Sequence, residues 1–123
     1  MVSANGHKTW VFADGDLPPA GEHEPFGHEA LMIVNLNKKA ADLRLDVLFE
    51  DKEPVQDIRA SVEAERVHCF RLDKPLGERG YSIPHGQYAL VVRSSVPVVA
   101  VFGRLDVRQN NLAYYSVAGC SFS

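Results

Sequence analysis

The sequence predicts an all-β fold, a single-domain antiparallel β-sandwich of about eight strands spanning residues 1–123. Three observations predict it. Apolar residues recur with a period of two rather than 3.6. Turn-forming clusters recur about every ten residues through the middle of the chain. No segment carries the apolar stripe of a convincing helix; Lys38–Leu45 holds helix formers, but its apolar residues alternate.

The elements follow in order. Lys8–Asp14 (KTWVFAD) reads as the first strand. His28–Leu36 (HEALMIVNL) is apolar on both faces, so both faces are expected to be covered. After the turn Asn37-Lys38-Lys39, Leu43, Leu45, Val47 and Phe49 alternate with Asp42, Arg44, Asp46 and Leu48, the pattern of a strand with one wet face. The polar turn Glu50–Pro54 leads into Val55–Glu63, with Ile58, Ala60 and Val62 inward, and Glu65–Leu72 follows. Gln87–Ser94 and Pro97–Asp106 read as two further strands, and Leu112–Ala118 closes the chain. Two segments rich in Gly and Pro, Gly15–Gly27 and Asp73–Gly86, interrupt the strands. Segments of this length are either rims of a site or packed connections.

Length, at 123 residues, is that of one domain with a real core. The formal charge of −3, with no basic block larger than Lys38-Lys39, makes nucleic acid an unlikely partner. MVSANGHKTW lacks the apolar core of a signal peptide, and no apolar run approaches the ~18 residues that span a bilayer, so a cytoplasmic location is expected. Cys69 and Cys120 are then expected to be reduced, buried and inert. Three strands apolar on both faces exceed what a two-sheet sandwich can hide, which predicts a homo-oligomer.

Enzymatic chemistry finds little support. His23 and His28 sit among Glu22, Glu24 and Glu29, with His85 a distant third, but no HxH pair occurs, and no metal site is expected. No GxSxG elbow or phosphate-cradling glycine motif is present. His68 and Cys69 are adjacent on a strand and so face opposite ways. A non-enzymatic protein without cofactor is the expectation. What stands out is polar residues set in apolar strands. Glu29 and Asn35 share a face with Leu31 and Ile33; Arg66 with His68, Phe70 and Leu72; Ser94 with Tyr88, Leu90 and Val92; Arg104 and Asp106 with Ala100 and Phe102. Buried charge requires a partner. These residues form either a salt-bridge network or a pocket for a small polar ligand, with Arg104 and Asp106 close enough to bond directly and Trp10 as a stacking wall.

The chain also resembles the bacterial sensory rhodopsin transducer family. The carriers are WVFADGDLPP (Trp10–Pro19), HEALMIVNLN (His28–Asn37), FEDKEPV (Phe49–Val55), the Arg66 and Arg71 strand, IPHG (Ile83–Gly86) and SSVPVVAVFGRLDVRQ (Ser94–Gln109). Val107 within RLDVRQ and the loop Gly77–Ser82 depart from the family pattern. The resemblance implies a jelly-roll type sandwich assembled as a homotetramer, a membrane photoreceptor as possible partner, small-molecule binding with sugars among the ligands, and a proposed link to DNA. By the same resemblance Trp10, Glu29, Asn35, Arg66, Ser94, Arg104 and Asp106 fall on the family's motif positions as ligand-binding candidates.

Overall fold

The structure is a computed structural model that describes residues 5–108 and 113–123. Eight strands occur in it: β1 (His7–Leu17), β2 (His28–Asn35), β3 (Ala41–Leu48), β4 (Val55–Val62), β5 (Arg66–Arg71), β6 (Gly86–Asp106), β7 (Ala113–Val117) and β8 (Cys120–Phe122). All pairings are antiparallel. The first sheet runs β4-β3-β6-β1-β8. The second runs β5-β2-β6-β7.

Strand β6 belongs to both sheets. Its 21 residues form one element where the sequence reads as two strands. Gly86–Val98 pairs with β1 and β3, and Val99–Asp106 pairs with β2 and β7. Ser95, Val96 and Pro97, the residues that suggest a break, lie outside every ladder, so the missing proline N–H takes no bond from either sheet. Side chains serve the crossing: Ser94 Oγ accepts from Val96 N at 3.4 Å, and Asn37 Nδ2 donates to Pro97 O at 2.7 Å.

Strand β1 runs to Leu17, three residues past the expected end at Asp14, through a register shift between Phe12 and Gly15. A Cβ on Gly15 would lie 2.8 Å from the Tyr88 ring, so only glycine allows the bulge to pack there.

Period-two patterning places the core as the sequence predicts. Leu31, Ile33, Leu43, Leu45, Val47, Ile58, Leu90, Val92 and Phe102 are buried between the sheets. Phe12 of the first sheet and Phe102 of the second stack with ring centroids 5.4 Å apart. The 72–85 segment closes the side of the sandwich: Leu72, Leu76 and Ile83 are buried, and Leu76 and Tyr81 exchange backbone bonds of 2.8 and 2.9 Å. It packs on the core along one side, and its Glu78 and His85 stand at surface cavities on the other. Asp46, expected on a wet face, is buried: at an irregularity of the β3–β4 ladder its carboxylate accepts from Asp57 N at 2.9 Å and from Arg93 Nη1 at 2.6 Å. Cys69 and Cys120 are both exposed, which corrects the expectation of burial: Cys69 occupies an outward position of β5, and Cys120 opens the three-residue edge strand β8. Among the described residues no helix is long and apolar enough to cross a membrane.

Truncating Phe102 removes the ring that spans the sheets. Phe102→Ala should lower the unfolding free energy by about 3–5 kcal/mol, measured by urea denaturation.

Candidate functional site

The β2–β6 ladder sets Glu29 directly opposite Arg104. Both lie on the inward face, continuing the rows of Leu31 and Phe102, so both are buried at one end of the core. Arg104 Nε donates to Glu29 Oε2 at 2.8 Å, and the Tyr88 hydroxyl donates to Glu29 Oε1 at 2.6 Å. The backbone N–H of Asp16 reaches Oε2 at 2.9 Å, and Arg104 also bonds the carbonyl of Asp14. The β1 bulge takes residues 13 and 14 out of the ladder, which leaves the Asp14 carbonyl for Arg104. One carboxylate thus accepts from three donors on two strands of the first sheet and one of the second. Burial pushes the Tyr88 hydroxyl far above the ordinary tyrosine range, with the negative charge of Glu29 and its hydrogen bond adding to the effect. Tyr88 is therefore a neutral donor at physiological pH.

The remaining candidates lie elsewhere. Asn35 is buried six residues along β2 from Glu29, roughly 20 Å away at strand spacing. Its Nδ2 donates to the carbonyls of Lys39, Val62 and Glu63, and its Oδ1 accepts from Asn37 N and Nδ2. Trp10 is half-buried, stacks on Phe12, and donates from Nε1 to the carbonyls of His7 and Val98. Ser94 is buried at the β6 crossing. Arg66 stands opposite Asn35 in the β2–β5 ladder but is exposed, its guanidinium on the carbonyls of Ala64 and Glu65.

Their spacing allows Arg104 and Asp106 either to bond directly or to hold a ligand between them; they make no direct bond. Arg104 turns into the core toward Glu29, whereas Asp106 sits at the strand end and takes Arg108. The hydrogen bond from Arg108 holds the Asp106 carboxyl below the usual carboxylate range. Arg104 thus forms a buried pair with Glu29 of β2, and Asp106 a rim pair with Arg108 just past the end of β6.

Glu29 and Arg104 are therefore brought together, and the other five are dispersed. Tyr88, the third member of the cluster, was not among the sequence candidates; its inward parity with Leu90 and Val92 was the available signal. Two surface cavities lie apart from all seven. One of about 570 Å³ is walled by Arg59, Ser61, His68, Phe70 and Glu78. Another of about 590 Å³ is walled by Phe49, Lys52, His85 and Gln87. Among the described residues no three His, Cys, Asp or Glu side chains group as metal ligands would.

The sequence profile of the Anabaena sensory rhodopsin transducer family matches residues 5–121. The chain belongs to that family. Among solved structures, the Thermotoga maritima 1070 crystal structure is 32% identical, with 96% of this chain and 97% of that chain covered and a TM-score of 0.83. The Anabaena sensory rhodopsin transducer itself is 34% identical, with 89% and 96% covered and a TM-score of 0.74. A comparison with curated proteins finds no match. The two-sheet architecture is thus shared with the transducer family along nearly its whole length.

Removing Glu29 takes the counter-charge from a buried guanidinium and the acceptor from a buried phenol. Glu29→Ala should cost about 3–5 kcal/mol in urea denaturation, and Tyr88→Phe about 1–3 kcal/mol. The raised Tyr88 pKa has a definite sign. Its stabilising effect is complete below the ordinary value of 10.0. Above that pH the unfolded chain releases the phenolic proton while the folded chain keeps it, so stability falls by up to about 1.4 kcal/mol per pH unit. Tyr88→Phe should remove that component of the alkaline slope, read as the difference between the two denaturation series.

Proposed function

We propose that this chain is a non-enzymatic signal transducer that works by docking a partner protein as a cytoplasmic homo-oligomer, with four copies the expected state. The reading rests on the outer face of the second sheet. Met32, Val34, Val67, Val99 and Val101 all point away from the core, with Val67 66% and Val101 48% exposed. A contiguous apolar sheet face in a small protein is the usual mark of an interaction surface. A membrane photoreceptor is the partner suggested by the name of the Anabaena relative.

A second reading has its own support. The 570 Å³ cavity combines a guanidinium, an imidazole, a carboxylate and a hydroxyl with the Phe70 ring, a mixture suited to a small polar ligand such as a sugar. The internally bonded Glu29 cluster and Asn35 favour structural roles for those two sequence candidates. A DNA-binding role finds no support in a net charge of −3.

Two measurements separate the readings. Capture by a detergent-solubilised microbial sensory rhodopsin, weakened at least tenfold in Val101→Lys, is the expected result for the adaptor. A saturable rise in Tm with one class among sugars, sugar acids, polyols and nucleotides would instead carry the ligand reading, at about 2.7 kcal/mol for a hundredfold excess over Kd. A monomer by light scattering at all practical concentrations overturns the oligomer.

A further inference from the structure

Asn5 precedes Gly6, the sole Asn-Gly pair in the chain. The fold demands that glycine. A Cβ at position 6 would collide with the carbonyl oxygen of Val98, and φ there is +107°, a conformation that side chains rarely adopt. Asn5 is exposed, and β1 begins at His7, so Gly6 stands outside the strand ladder. Among the described residues the Asn5 side chain makes one long contact, Nδ2 to Asn37 Oδ1 at 3.4 Å.

An asparagine followed by glycine is the arrangement in which a backbone nitrogen most easily reaches a side-chain carbonyl. Glycine has no Cβ to crowd the approach, and its soft dihedrals let the nitrogen turn toward Cγ. Ladder bonds and tightly bonded side chains are what ordinarily prevent the attack. Neither restrains Asn5.

We propose that Asn5 is a self-modifying position, converted to aspartate and isoaspartate within the folded protein with water as the only co-reactant. The Gly6 nitrogen gives up its proton and attacks Asn5 Cγ. The new N–Cγ bond closes a five-membered imide, the Cγ–Nδ2 bond breaks, and ammonia leaves with the proton that the nitrogen released. Water then adds to one imide carbonyl. Opening at Cγ gives aspartate on an unchanged backbone. Opening at the other carbonyl gives isoaspartate, whose chain runs through Cβ and Cγ. No electron changes hands.

The fold withholds the same chemistry elsewhere. Asp14-Gly15 is the sole Asp-Gly pair and could close the same imide by losing water. There Gly15 is paired with Tyr88 in the β1–β6 ladder, and the Asp14 carbonyl accepts from Arg104. Asn35 and Asn37 precede Leu36 and Lys38, and their amides are committed to neighbours. Those commitments also fix what conversion does. Asn37 Nδ2 is spent on Asn35 Oδ1 at 2.9 Å and on Pro97 O at 2.7 Å, so a carboxylate at position 5 meets only the acceptor Oδ1. The contact between the start of the chain and the clamp at the β6 crossing is lost with each conversion.

The test holds folded wild-type protein at physiological temperature and mildly alkaline pH, then follows its peptides by mass spectrometry. The Asn5 peptide should gain the mass of an amide-to-acid exchange in two separable products, while Asn35 and Asn37 stay unchanged. The rate should rise with pH, because the attacking nitrogen reacts without its proton. Asn5→Gln, whose imide ring would be one atom larger, should remove the gain. An isoaspartyl methyltransferase should label the Asn5 peptide from folded protein, and Asp14 only after incubation in urea. An Asn5 peptide that stays unchanged in the folded protein overturns the proposal. Equal labelling of Asp14 with and without urea overturns the role given to the fold.

Discussion

A single buried carboxylate holds one end of this sandwich together. Glu29 on β2 takes Arg104 from the second-sheet half of β6, Tyr88 from its first-sheet half, and the Asp16 N–H from β1. The two sheets are apolar layers that would otherwise slide against each other with little penalty. Directional bonds to one residue give them a fixed stagger. The bulge in β1 serves the same pair: the Asp14 carbonyl that it takes out of the ladder accepts from Arg104. A charge in this position is tolerated only because every element around it contributes a donor or an acceptor.

Asn35 does comparable work at the other end of β2. Its amide collects three carbonyls from the β2–β3 connection and the end of β4, and its oxygen holds Asn37, which in turn holds Pro97 at the point where β6 changes sheets. Apolar contacts fill the space between the two polar ends. The hydrophobic layer supplies cohesion, and the two polar residues select one alignment of the layers.

Much of this was legible in the sequence, and the exceptions share a cause. Strand parity put Glu29 and Asn35 on one face with Leu31 and Ile33, and Arg104 on one with Phe102, and those faces are the buried ones, because side-chain alternation in a strand is a local property. Which of them meet was not legible, because that depends on register between strands far apart in the chain: Glu29 and Arg104 are joined, whereas Asn35 stands at the far end of the same strand. Spacing left Arg104 and Asp106 able to bond directly or to hold a ligand between them, but their strand carries one into the core and the other to the rim. Asp14 read as the end of the first strand and Gly15 as the start of an irregular segment, since nothing local distinguishes a strand end from a glycine bulge packed on an aromatic ring. The thiols read as buried because their neighbours are apolar, yet an edge strand exposes apolar residues as readily as polar ones.

The sharing of β6 between both sheets has a consequence for how the molecule is made. Strands β1 to β5 all leave the ribosome before the first residue of β6 does. Until then β3 and β4 can form a hairpin and β5 can fold back on β2, but β1, β2 and β3 each lack the neighbour that completes them. The sandwich cannot close in stages from the N-terminus; it closes once, late, around a strand that must find partners in both layers. Nascent chains of this protein therefore present several open strand edges together, and their safe passage depends on the speed with which residues 86–106 are delivered.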